Sequence, residues 1–152
     1  MESFSKFFTF EGLTDSVSHP ELVTQNRIDA KKFMLAGKRL SKLLESIRHL
    51  FGDEPLKVNS GYRNPVLNKA IGSIAKSSTH MKFEAVDIIP NMPLKEAFNA
   101  LVSAQRSGLL PDLRKVIRED HKGILHIEVK MNADEVCHFY TTSDNIKFKG
   151  IT

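Results

Sequence analysis

A small α+β domain, with a mainly antiparallel sheet and flanking helices, is the fold class this sequence predicts. Three observations point there. In two stretches of the first two thirds of the chain, apolar residues recur at three- and four-residue steps, the pattern of helices with one buried face. Short apolar segments bounded by turn residues gather late in the chain, as strands do. The 152 residues suffice for one domain with one core, so residues 1–152 are read as a single unit. Helices that come mainly first and strands that gather late fit α+β layers better than alternating βα units.

The first element is a helix predicted from about Ile28 to Phe51. Phe33, Ala36, Leu40, Leu43, Leu44, Ile47 and Leu50 share one of its faces, and Gly52 is a natural stop. Leu56 to Asn59 reads as a short strand entering the turn Ser60-Gly61-Tyr62-Arg63-Asn64-Pro65. A short helix through Val66 to Ala70 follows, ended by Gly72. Ala85 to Ile89 reads as a buried strand stopped by Pro90. Pro93 suits the first position of the next helix, which runs to about Arg106 with Leu94, Ala97, Phe98, Leu101 and Val102 inward. Three more strands are predicted, Lys115–Glu119, Ile124–Lys130 and Val136–Thr141.

Composition narrows the function classes. With 41% hydrophobic and 26% charged residues, the chain is expected to fold rather than stay disordered. Its single cysteine, Cys137, excludes an internal disulfide and a four-cysteine zinc site. No apolar run is long enough for a membrane span. The N-terminus carries an early acid, Glu2, and no signal-like stretch, so the expected location is the cytoplasm of the producing cell, with action elsewhere after release or export. The net charge of +4 favours an anionic partner. The Lys and Arg residues are nevertheless scattered among acids, so nucleic acid is not the expected partner. A monomer is the default.

The chemistry gathers at three residues. His80 and Asp87 stand seven apart, and zinc accepts both imidazole nitrogen and carboxylate oxygen. A loop His followed by an Asp on the next strand can present two ligands from one segment, with a third expected from another strand. In Ile124–Val129, alternation puts Leu125, Ile127 and Val129 on one face and His126 on the other. His126 could there meet the other two.

The wording around these residues resembles a known family. Ser60-Gly61-Tyr62-Arg63-Asn64-Pro65 with Leu67-Asn68, then Ser78-Thr79-His80, Ala85-Val86-Asp87-Ile88 and Leu125-His126-Ile127 resemble the M15 zinc peptidases. That family includes D-alanyl-D-alanine carboxypeptidases and phage endolysins, and shares its fold with the hedgehog signalling domain. The likeness is strongest to short, single-domain, phage-type members, which open with a phrase similar to Phe8–Thr14. It runs over about residues 8 to 130 in the same order.

The resemblance implies a hedgehog/DD-peptidase-like fold and one zinc ion held by His80, Asp87 and His126. It implies hydrolysis within the stem peptides of bacterial peptidoglycan, as a D,D-carboxypeptidase or an endopeptidase, with endolysin-like wall lysis. Glu119 matches the family acid that serves as general base, with Asp120 as its neighbouring rival and a solvated strand end as the plainer alternative. Arg63 matches an arginine that faces substrate, where it either grips a carboxylate or braces the turn. Ser78 matches a serine that touches substrate or fixes the loop. Two positions depart from the pattern: Phe83 stands where glycine is usual, so a differently routed or crowded loop is expected, and Ile124 replaces a common tryptophan. Among the other histidines, His121 lies in the turn between Glu119 and His126, where it could stabilise an oxyanion, shuttle a proton or simply face solvent. Two alternatives remain: a zinc-binding, non-catalytic module of the same fold, and a nucleic-acid binder suggested by charge alone.

Overall fold

The computed structural model, which describes residues 3–73, 78–143 and 147–151, runs from helices to strands. Three helices come first, α1 (Phe10–Leu13), α2 (Val23–Ala30) and α3 (Met34–Leu50). Then follow β1 (Lys57–Ser60), α4 (Pro65–Ala70), β2 (Ala85–Ile89), α5 (Leu94–Arg106), β3 (Leu113–Glu119), β4 (Ile124–Val129), β5 (His138–Ser143) and β6 (Lys147–Ile151). The strands make one sheet of order β1-β2-β4-β3-β5-β6. Every neighbouring pair is antiparallel except β3 and β5. The chain path explains that exception. β4 reverses β3, β5 reverses β4, and β5 then lands on the free edge of β3.

The predicted α+β class with a mainly antiparallel sheet is what the chain forms, with the parallel pair and β6 as additions. β4 buries Leu125, Ile127 and Val129 on one face, together with Val86 and Ile88 of β2 and Val116 of β3. Leu40, Leu44 and Ile47 of α3 and Ala97, Phe98 and Leu101 of α5 complete this core. Burying each large aliphatic side chain contributes about 1.5–3 kcal/mol, so this apolar interface holds helices and sheet together. The polar alternate residues of β2 and β4 are thereby left on the opposite face. Among the described residues, no helix is long and apolar enough to cross a membrane.

The helix predicted over 28–51 is two helices joined by a 3₁₀ turn at Lys31–Phe33. Ile28 lies on α2 and is 56% exposed, so it does not extend the apolar stripe of α3. α2 is fixed by a polar residue instead. Asn26, fully buried, donates from Nδ2 to the carbonyls of Thr14 (2.9 Å) and Tyr62 (3.1 Å). Its Oδ1 accepts from the backbone N–H of Asn64 at 2.8 Å. One side chain thus ties the end of the α1 segment to both flanks of Arg63.

The crowding expected from Phe83 is absorbed by the core. Phe83 caps the 3₁₀ turn Thr79–Lys82 in the left-handed region (φ 60°), where glycine is at ease and other residues are strained by about 1–2 kcal/mol. Its ring is fully buried beside Tyr62, Phe4 and Phe10. It also fills the notch at Gly37 of α3, where a Cβ would lie 2.7 Å from the ring. Burial of an aromatic ring offsets the backbone strain.

Removing the Asn26 side chain strands three buried backbone groups at once. Asn26→Ala is expected to cost about 2 kcal/mol or more, from the desolvation of unpaired donors and acceptors. In urea unfolding, this would read as a lowered midpoint at an unchanged slope.

Candidate metal centre

His80 sits in the 3₁₀ turn Thr79–Lys82, Asp87 in the middle of β2 and His126 in the middle of β4. Asp87 pairs directly with His126 across the β2–β4 ladder, so both side chains leave the sheet on one face. That face is opposite Leu125, Ile127 and Val129, as alternation predicts for His126. Ser60, at the end of β1, pairs with Asp87 from the other side.

His80 must be delivered by a loop, and the loop is stapled on both sides. The side-chain oxygen of Ser78 caps the turn by accepting from the His80 N–H at 3.2 Å. The Arg63 N–H donates to the His80 carbonyl at 3.2 Å, and the Tyr62 N–H donates to the Leu13 carbonyl at 2.8 Å. A Cβ on Gly61 would lie 2.1 Å from the Leu13 carbonyl oxygen, so only glycine permits this approach. Gly61 in turn offers its carbonyl to His80 Nδ1 at 2.8 Å. A carbonyl only accepts, so Nδ1 donates to it and Nε2 is the nitrogen turned toward the site.

The three side chains are buried and converge. Asp87 Oδ1 lies 3.3 Å from His80 Nε2 and 3.0 Å from His126 Nδ1. One donor atom from each residue falls within 4.8 Å of the others. Burial alone would raise the pKa of Asp87, but the two imidazoles outweigh it and hold the carboxyl below its usual range. For His126, burial disfavours the charged ring, but Asp87 and Glu128 prevail and raise its pKa. The site therefore favours positive charge beside Asp87. Two imidazole nitrogens and one carboxylate oxygen form a donor set that suits zinc and leaves a fourth position for a reactant. The residues present fit such an ion.

The other predicted residues fall around this centre. Arg63 is largely buried, with Nη1 donating to Ser60 Oγ at 3.2 Å and lying 3.8 Å from Asp87 Oδ2. Burial lowers its pKa, opposed by the charges of Asp87 and Glu119. Its buried Nε has no hydrogen-bond partner among the described residues. Glu119 ends β3 opposite Ile124, which puts its side chain on the face shared by His126. The Glu119 side chain is 15% exposed and lies 3.7 Å from Lys122 Nζ. Asp120 is 50% exposed and is held by Arg118 at 3.0 Å. The geometry thus brings Glu119, rather than Asp120, to the ligand face. His121 Nδ1 lies 3.4 Å from Thr142 Oγ1 on β5, drawn to the side of β3 away from β4. An open cleft of about 510 Å³ runs beside the centre, lined by Asp87, Arg63, Ser60, Lys57, Lys122 and Ile124 among others.

Sequence reasoning missed Glu128 and Arg114. Glu128 approaches His126 Nε2 at 2.7 Å and is clasped by Arg114 at 3.0 Å. The available signal was alternation, because Glu128 stands two residues after His126 and must share its face.

A family model described as Peptidase M15 matches residues 7–128, a span that contains His80, Asp87, His126, Arg63, Glu119 and Glu128. A search of curated proteins finds no match. The centre should bind one equivalent of zinc. Asp87→Asn, which removes the shared carboxylate, is expected to weaken binding by more than the roughly 10- to 100-fold typical of outer-shell changes. Equilibrium dialysis against a competing chelator measures this.

Proposed function

The chain belongs to the M15 peptidases, and on that premise we propose that it is a zinc metallopeptidase that hydrolyses amide bonds in the peptide part of bacterial peptidoglycan. One observation carries the reading. A His-Asp-His donor set is buried beside an open cleft whose lining includes its Asp87 together with Arg63. Bound there by His80, Asp87 and His126, zinc supplies Lewis acidity toward a substrate carbonyl and toward water near neutral pH.

The chain's own groups do the rest. Glu119, an acceptor while ionised, takes the proton of the attacking water and passes it to the amine as the C–N bond breaks. The products are one carboxylate and one amine, and Glu119 returns to its starting state. Its position on the ligand face, with its charge felt at Arg63, supports this role over Asp120. Arg63 turns an acidic group of the stem peptide toward the centre. Its planar fork suits a carboxylate, and its place in the cleft lining beside Asp87 supports a substrate contact beyond bracing the turn. The carboxylates available in a stem peptide are its D-alanyl terminus and its D-glutamyl and diaminopimelyl acids. Lys57 and Lys122, which also line the cleft, add positive potential at its rim. Ser78, already engaged with the His80 N–H, fixes the loop.

Trimming of a terminal residue and cleavage within a stem or cross-link both fit this arrangement, and the masses of released fragments separate them. The motif order, similar to short phage-type members, favours endolysin-like wall lysis. Nothing at Phe83 favours the non-catalytic alternative, because its ring occupies the core and leaves the cleft open. With purified peptidoglycan, the wild type should release defined stem peptides. Glu119→Gln should retain its zinc while turnover falls roughly 10²- to 10⁴-fold. Undiminished turnover in that variant would remove Glu119 from the mechanism.

A further inference from the structure

The two histidines of the centre are held in opposite senses. His80 is anchored through Nδ1 by the Gly61 carbonyl, which leaves Nε2 for the site. His126 is anchored through Nε2 by Glu128 Oε2 at 2.7 Å, which leaves Nδ1 beside Asp87. An ionised carboxylate accepts and cannot donate. Each ring nitrogen of His126 thus faces a carboxylate oxygen, Nε2 at 2.7 Å from Glu128 and Nδ1 at 3.0 Å from Asp87. With a cation in place of the proton at Nδ1, the proton that remains is the one on Nε2 that Glu128 holds.

Glu128 is itself held in place. It is 4% exposed, and Arg114 grips Oε1 through Nε at 3.2 Å and Nη2 at 3.0 Å. Two donors converging on one oxygen fix the position of Oε1, and the contacts made by Oε2 set the plane of the carboxylate. Oε2 is then left for His126 and for the Thr79 hydroxyl, which donates at 3.1 Å. Thr79 is the neighbour of His80, so one carboxylate touches both ligand-bearing segments. Arg114 is balanced by Glu84 at 2.8 Å and Glu135 at 3.7 Å. The cluster closes on itself behind the centre, on the side of His126 away from Asp87.

We propose that Glu128, locked by Arg114, is a positioning residue of the metal centre that sets the ring orientation and tautomer of His126, so that Nδ1 is the donor. The proposal rests on the metal reading above. A surface carboxylate would swing and hydrate, but this one is buried and double-gripped, so its loss leaves the imidazole free to rotate. Outer-shell carboxylates of this kind both orient a ligand and raise its basicity.

The test is competitive titration of the metal-free protein with zinc, using wild type, Glu128→Gln and Glu128→Ala. Thermal unfolding of each metal-free variant is recorded alongside. Glu128→Ala should weaken binding about 10- to 100-fold. Glu128→Gln, whose amide oxygen still accepts from Nε2–H, should recover part of that loss. Wild-type affinity in both variants overturns the proposal and leaves the metal reading standing. A wild type that binds no zinc overturns both. Should Glu128→Ala fail to fold, long-range ¹H–¹⁵N spectra of the zinc-loaded wild type decide. They should show a protonated Nε2 on His126 and a protonated Nδ1 on His80, and a protonated Nδ1 on His126 would overturn the proposal.

Discussion

The register between β2 and β4 is the constraint on which the rest of the site depends. Asp87 faces His126 across the ladder, and side chains along a strand alternate with a period of two. A slip of one residue would send one of the two ligands into the core and bring an apolar side chain to the site. The core prevents that slip. Val86 and Ile88 on one strand and Leu125, Ile127 and Val129 on the other are all fully buried against α3 and α5. Hydrophobic burial on one face therefore fixes polar geometry on the other. The third ligand needs a different device, because a loop has no register. It is supplied by Gly61, whose lack of a side chain lets the Tyr62 segment lie against Leu13, and whose carbonyl aims His80.

A centre this buried confronts the cost of removing charge from water. Asp87, Glu128 and Arg114 would each be expensive alone. They persist because every charge has a partner of opposite sign within reach, and because the partners also donate or accept hydrogen bonds. The balance is local. Behind His126, Arg114 is compensated by Glu84, Glu128 and Glu135. In front, Asp87 draws on both imidazoles and on Arg63. Such a cluster pre-orders its ligands before any ion arrives, and an ordered site is what hydrolysis needs from its scaffold.

What could be read from the sequence follows the physics of each element. α3, α5, β2 and β4 are held by apolar faces, and their periodicity announced them within a few residues. α2 escaped because its anchor is Asn26, a polar residue that no hydrophobic pattern flags. β6 escaped because Lys147–Ile151 is short and lies beyond the familiar motifs. The parallel pairing of β3 with β5 is a property of chain path, which local pattern does not encode. At the site, the histidines and Asp87 were legible from motif and spacing. Alternation alone would have preferred Glu119 to Asp120 and would have put Glu128 beside His126. The conformation at Phe83 was not legible, since nothing local says that a left-handed position will trade strain for burial beneath α3.

We propose that this centre, loaded with zinc, cuts peptidoglycan peptides. The most direct measurement is digestion of purified peptidoglycan by protein that is untreated, chelated, or chelated and resupplied with zinc, with the released fragments read by mass spectrometry. Defined stem-peptide fragments should appear, vanish on chelation and return with zinc. Fragments that persist after complete removal of the metal, or none from protein carrying one zinc, would contradict it.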